Sequence, residues 1–261
     1  MILLKIEPIE KSERKIKFIL SETTPQFANA LRRAATNEIP ILAIDDVDIY
    51  ENHSVFYDEV IAHRLALIPL KFNPDELNLP SECKCDGAGC ILCQVLFSLE
   101  KKGPGTVYSK DIKFDNPNVS VLYPDIPIVE LAESHSIKIQ GIARLGFGTK
   151  HAKWQAAKAF YQYYPEIKVV GKIKNKNELT DVCPRKALSF SDEDANVSLA
   201  CDLCGECVKA SEGALKITSD GTKIIFTIES VSGLSASEVL LQALRRLKAY
   251  ASDFMKALEK V

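Results

Sequence analysis

The sequence predicts an α+β fold, and three observations point to it. Stretches of alternating hydrophobicity near both ends of the chain, such as Ile16, Phe18 and Leu20, read as strands. An early segment and a C-terminal one space their apolar residues three and four apart, the period of long amphipathic helices. Between them lie a mostly-β stretch and a polar, cysteine-bearing insertion. With 261 residues, 46% hydrophobic and 26% charged, the composition is that of a globular chain of one large domain or two to three small ones. A net charge of −2 provides no global positive field and no strong signal for direct DNA or RNA binding. No apolar run approaches the roughly 18 residues that span a bilayer, and "MILLKIEPIE" lacks the apolar core of a signal peptide. The expected setting is therefore cytoplasmic, with no membrane. There, eight cysteines suggest metal sites before disulfides, hyperthermophile proteins being the exception.

Taken in order, the elements follow from local chemistry. Ile2, Leu4 and Ile6 alternate, as do Ile16, Phe18 and Leu20, across a charged turn near Glu10–Glu13, so the N-terminus predicts a β-hairpin. In "TTPQFANALRRAATNEIP", Thr24 caps a helix and Pro25 takes its first position, where a missing N–H costs nothing. Phe27, Ala30, Leu31 and Ala34 give it one apolar stripe, and Pro40 stops it. "ILAIDDVDIYE" alternates as a strand, and "YDEVIAHRLALIPL" reads as a short helix closed by Pro69. A cysteine-rich loop over 80–95 precedes several short strands over 95–145, then a glycine turn and aromatic-rich sequence over 146–165. Residues 171–213 lose apolar density, carry the polar runs "KIKNKNEL" and "SFSDEDAN", and hold four cysteines. Such a core is too poor to fold without a staple. "LKITSDGTKIIFTIES" predicts a second hairpin turning at Asp220-Gly221. At the C-terminus, Ser235 and Glu238 fit a capping box. Leu240, Leu244, Leu247, Ala251, Phe254, Leu258 and Val261 then run as a heptad seam. One stripe is explained by a helix lying on its own domain. Leu241, Tyr250 and Met255 lie off the seam, and a second apolar face favours a partner helix from another chain.

The cysteines carry the clearest chemistry. "CDLCGECVKA" spaces Cys201, Cys204 and Cys207 as C-x2-C-x2-C, which closes three thiolates on one iron–sulfur cluster. Cys183, followed by Pro184, offers the fourth, as the Cys-Pro of one motif serves the other cluster in two-cluster ferredoxins. The insertion thus resembles half of such a ferredoxin. Four thiolates also suit zinc, but zinc ribbons favour two paired knuckles, whereas a three-cysteine run plus Cys-Pro favours iron. Four ligands imply [4Fe–4S], and loss of one iron would leave [3Fe–4S]. The earlier "ECKCDGAGCILCQ" sets Cys83, Cys85, Cys90 and Cys93 in a C-x-C-x4-C-x2-C pattern, with Gly87 and Gly89 to let the loop curl. Zinc and a disulfide both stand as readings there.

Other motifs fail on inspection. Gly141-x4-Gly146 meets Phe147 where a phosphate-binding loop needs lysine. Asp46 and Asp48 share a strand face without a phosphate-binding loop, and read as a solvated face. His53, His63, His135 and His151 have no ligand spacing to one another, and no nucleophile arrangement is present. The residues describe a metal-bearing α+β protein with no catalytic constellation and one long adhesive helix.

Several segments together resemble one family. "TTPQFANALRRAATNEIPILAIDDVDIYENHSVFYDEVIAHRLALIPL", "GFGTKHAKWQAA" and "SASEVLLQALRRLK" resemble the signature segments of the archaeal RNA polymerase D-subunit family. That family is similar to the third subunit of the eukaryotic enzyme and to the dimerising part of the bacterial alpha subunit. The resemblance implies a dimerisation domain of sheet plus long helices from 1–44, 143–165 and 214–261. It implies an inserted mostly-β domain over 45–142 and an inserted ferredoxin-like Fe–S domain over 166–213. It also implies a non-catalytic assembly subunit that pairs with the smaller L subunit through Phe27, Leu31, Leu240, Leu244, Leu247, Phe254 and Leu258. The pair would seed assembly of the large catalytic subunits, with the small N and P subunits alongside. The polymerase's Mg²⁺-binding aspartates would lie on another subunit, so Asp45, Asp46 and Asp48 are not promoted to catalysis. The rival expectation is a ferredoxin-like electron-transfer or redox-sensing protein, which would need a second centre or a docking surface.

Overall fold

The computed structural model describes residues 4–191 and 194–260. Ile2, Val261 and part of the run "SFSDEDAN" lie outside the described residues. The chain forms two compact units, one from the segment through Lys11, Ile16–Arg32 and Phe160–Thr227, the other from Ser12–Lys15, Arg33–Ala159 and Ile228 onward.

The first unit is built on β1 (Lys5–Lys11) and β2 (Lys15–Ser21), the expected antiparallel hairpin, with Lys5 opposite Ser21 and a bulge between Pro8 and Glu10. Every residue of β1 is exposed, while Phe18, Ile19 and Leu20 of β2 are all buried, so the second strand alone carries the core face and its burial does not alternate. β11 (Ala157–Val169) and β14 (Leu215–Ser230) complete a sheet of order β1-β2-β14-β11. Phe226 stacks on Phe18 at 5.5 Å and on Tyr161 at 6.3 Å, which places three strands' aromatics on one face.

β14 corrects one expectation. It is a single strand of 16 residues with no hairpin at Asp220-Gly221. A two-residue type I′ turn needs positive φ at both central positions, and neither residue has it. Instead the Asp220 carboxylate accepts from Thr222 N–H at 2.8 Å, and the strand runs on through it.

Between β11 and β14 lie α3 (Lys176–Val182), the pair β12 (Leu188–Phe190) and β13 (Ala195–Val197), and the short α4 (Glu206–Ala210). Leu179, Leu188, Ala195, Cys207 and Leu215 form a small core of buried residues here. Two cysteines contribute to it, Cys207 from within and Cys183 packed against it.

In the second unit, β3 (Ile41–Asn52), β5 (Val95–Lys102), β7 (Lys113–Phe114) and β10 (Ser136–Gly146) form an antiparallel sheet of order β3-β10-β5-β7. Ile41 to Ile44 are all buried, so β3 begins covered on both faces and turns amphipathic only from Asp45. α2 (Asp58–Ala66) buries Ile61 and Leu65, and Arg64 reaches the Ile128 carbonyl at 2.7 Å. The short pairs β4 (Leu70–Lys71) with β8 (Ser120–Val121), and β6 (Gly105–Tyr108) with β9 (Pro127–Leu131), fill out the mostly-β stretch.

Two helices begin as their sequences expect. α1 (Pro25–Asn37) starts with the Phe27 N–H donating to Thr24 Oγ1 at 3.3 Å. Its buried residues are Ala28, Leu31, Ala34 and Ala35, so the core stripe is rotated from the expected one and leaves Phe27 and Ala30 half-buried. α5 (Ala236–Leu258) opens with the expected capping box: Glu238 N–H donates to Ser235 Oγ, and Ser235 N–H donates to the Glu238 carboxylate at 2.7 Å. Among the described residues no helix is long and apolar enough to cross a membrane.

Candidate metal centre

The loop between β4 and β5 brings Cys83, Cys85, Cys90 and Cys93 together, with all four sulfurs within 4.8 Å of one another. Local backbone bonds fold it so. Asp86 N–H donates to Cys83 O, Ala88 N–H to Cys85 O, and Cys93 and Gln94 N–H both to Cys90 O, giving successive tight turns. Gly87 and Gly89 adopt positive φ, +78° and +93°, which a side chain would strain. Asn78 N–H donates to Leu92 O at 2.7 Å and closes the loop on its approach segment.

The four thiols are free, with no disulfide among them. The Cys83–Cys90 and Cys85–Cys93 sulfurs are 3.5 Å apart, and those of Cys90 and Cys93 3.8 Å. A tetrahedral ion with metal–sulfur bonds of about 2.3 Å has sulfur–sulfur edges of roughly 3.8 Å. Of the two readings open from the sequence, the geometry is that of a site for a single metal ion. Charge agrees with it. Hydrogen bonds from Cys83 and Cys93 hold the Cys85 thiol down to about 6, while burial pushes Cys93 up to about 12. One thiolate therefore forms readily and the buried one resists, a conflict that a bound cation removes by deprotonating its ligands. The Cys90 N–H, 3.3 Å from Cys93 Sγ, adds a donor to the buried sulfur.

The second set is arranged differently. Cys201 and Cys207 are buried, Cys183 is half-buried and Cys204 exposed. Burial raises the Cys201 and Cys207 thiols, and each is pushed further by the charge of Cys183 and of the other cysteines nearby. The Ala187 N–H donates to Cys183 Sγ at 3.3 Å. Arg185 pairs with Asp202 at 3.1 Å. Among the described residues only the Cys83 set lies within range of one ion.

The remaining candidates fall into two groups. Leu31 is buried within its own chain at 2% exposure, and Phe27, Leu240 and Leu247 are half-buried. Leu244, Phe254 and Leu258 are exposed, as are Leu241, Tyr250 and Met255. α5 packs on its own unit instead through Ala236, Val239 and Ala243, a stripe one position ahead of the leucine seam, continued by Arg246 stacking on Phe147. From Tyr250 to Lys260 every residue is exposed.

Asp45 and Asp46 are neutralised, Asp45 by Lys153 and Asp46 by Arg144, each at 2.7 Å. This ion-pair cluster has no short-range sequence signal, since its members lie about a hundred residues apart. Gly146 is explained by packing: the Trp154 ring lies where a Cβ would stand, and its indole N–H donates to Arg144 O.

Residues 44–162 match the family model described as the RNA polymerase Rpb3/RpoA insert domain. The chain is 40% identical to the DNA-directed RNA polymerase subunit Rpo3 of Archaeoglobus fulgidus over 98% of both chains. It is 38% identical to the subunit of that name from Methanosphaera stadtmanae over 97% of both. Against the Pyrococcus horikoshii subunit it is 35% identical over 99% of both.

Proposed function

The chain belongs to the Rpo3 family of archaeal DNA-directed RNA polymerase subunits, and from that premise we propose that it is a non-catalytic assembly subunit that pairs with the L subunit. This is the family its signature segments resemble. The observation that carries the pairing is α5: its stripe against its own unit is Ala236, Val239 and Ala243, so the leucine seam and the Tyr250–Leu258 turns are left to another chain. Phe27 and, in the other unit, the α5 residues Leu240, Leu244, Leu247, Phe254 and Leu258 are the partner-binding residues in this reading, and Leu31 supports α1 from inside. The resulting pair is the platform on which the large catalytic subunits and the small N and P subunits assemble, in the cytoplasm. The three-part organisation, a dimerisation domain with insertions over 45–142 and 166–213, belongs to the same proposal.

Zinc at Cys83, Cys85, Cys90 and Cys93 and a [4Fe–4S] or [3Fe–4S] cluster at Cys183, Cys201, Cys204 and Cys207 are its cofactors, and both are structural. The metal centres supply cross-links that small cores lack. The chain's own residues bury Cys83, Cys93, Cys201 and Cys207 and aim amides at the Cys93 and Cys183 sulfurs. Co-expression with the L subunit tests the reading: a stable one-to-one heterodimer is expected, and a chain that stays monomeric beside the L subunit overturns it. Anaerobic purification with metal, sulfide and visible-absorption analysis tests the cofactors. Iron with sulfide alongside one zinc is expected, and colourless protein without iron removes the cluster.

A further inference from the structure

The linker that aims α5, Val231–Ser235, has no regular structure, yet it is densely hydrogen-bonded. Its main partner comes from the far end of the sequence. The Arg14 guanidinium, in the turn between β1 and β2, donates to three carbonyls: Ser232 O at 2.7 Å, Ser230 O at 3.1 Å and Leu234 O at 3.3 Å. The same turn answers with its backbone. Ser230 N–H donates to Arg14 O and Ala236 N–H to Glu13 O, both at 2.8 Å. The second bond satisfies one of the orphan amides at the start of α5. A cation beside a helix N-terminus is electrostatically unfavourable, so Arg14 is not there for the helix dipole. Its planar fork of donors can bridge several carbonyls at once, which a lysine ammonium on a flexible stem does poorly.

We propose that Arg14 is the positioning residue for partner binding: it fixes the direction in which α5 leaves its linker and so presents the seam from Leu240 to Leu258 to the L subunit. The proposal rests on the pairing reading above. Arg14 lies outside the partner surface itself, more than two hundred residues from the carbonyls it holds. Without it, the three carbonyls lose a charge-assisted donor and the linker samples other paths, while the capping box keeps α5 helical.

The test uses the full chain with spin labels introduced as unnatural residues at Glu130 and Ser252, both exposed and both in this unit. In wild type the label distance distribution should be narrow. In Arg14→Met it should broaden, with helical circular dichroism and metal content unchanged. Affinity for the purified L subunit should fall by about tenfold to a hundredfold, and Arg14→Lys should not restore it. An unchanged distance distribution in Arg14→Met overturns the proposal, as does a broadened one with full affinity. If Arg14→Met loses its helical signal, Arg14→Lys, which keeps the charge and stem, becomes the deciding variant under the same criteria. Failure of wild type itself to bind the L subunit sinks the pairing reading instead, and the distance measurement still judges whether Arg14 sets the helix.

Discussion

Cys93 and Asp111 are ionisable side chains held against burial by different partners, and each has a testable consequence. Cys93 is 3% exposed and its thiol is pushed up by that burial, so it becomes a thiolate only when a cation takes it. Cys93→Ser should abolish metal retention at the loop, read as loss of one bound metal ion per chain, while the rest of the fold persists. Because protons compete with metal for thiolates, acidification should release that ion from the wild-type loop before the fold unravels. Metal still bound by Cys93→Ser would refute a four-thiolate site. Asp111 is the reverse case. Burial would raise its carboxyl, but the Lys101 ammonium at 2.7 Å and the Tyr108 N–H outweigh it and hold the carboxyl below its usual range. A depressed folded value means the stabilisation is complete above the unfolded value of about 3.9 and is lost as pH falls through the folded one. Asp111→Ala should destabilise the chain by about 2 kcal/mol at neutral pH. Melting curves at neutral and strongly acidic pH check both points: the difference between wild type and variant should shrink in acid.

At the scale of elements, what local chemistry dictates was legible and what distant packing dictates was not. Thr24-Pro25 and Ser235-x-x-Glu238 mark helix starts because a cap is a contact between residues three apart. Asp220-Gly221 permits a turn without requiring one, and a strand with a hydrogen-bonded neighbour on each side, β2 and β11, overrides it. The stripe of α1 is legible in part: Leu31 and Ala34 are buried as the spacing predicts, but Ala28 and Ala35 complete the face in place of Phe27 and Ala30, since small alanines pack closely and sequence does not say which flank meets the core. For α5 the leucines drew attention to the seam, yet the chain covers the alanine-rich stripe beside it. That division predicts opposite effects from two substitutions. Ser235→Ala removes a cap and should cost about 1 kcal/mol in the isolated chain. Phe254→Ala, at a side chain 66% exposed, should leave the melting temperature of the isolated chain nearly unchanged and weaken pairing with the L subunit. Equal loss of stability from both would mean that Phe254 already has a partner within the chain.

Across the whole molecule, the grouping of Cys83, Cys85, Cys90 and Cys93 was legible because ligand spacing is a local property, but the grouping of the chain into two units was not. Ser12–Lys15 sits with Ile228 onward, and residues 171–213 sit with the β1–β2 strands, through pairings that no window of sequence contains. The grouping separates the two proposed roles, since the cluster cysteines fall in one unit and α5 in the other. The core around the proposed cluster site is small, with Cys207 in it and Cys183 packed against it. Serine at Cys201, Cys204 and Cys207 together therefore removes both the cross-link and a buried apolar-like side chain. Residues 171–213 should then become sensitive to limited proteolysis, while fragments containing β3, β10 and α5 stay resistant. Pairing with the L subunit should survive, because α5 and its linker belong to the other unit. If the triple variant instead keeps residues 171–213 protected, the cluster is not the staple of that segment. If it loses pairing while α5 remains protected, the cluster acts on assembly as a sensor rather than as a local support.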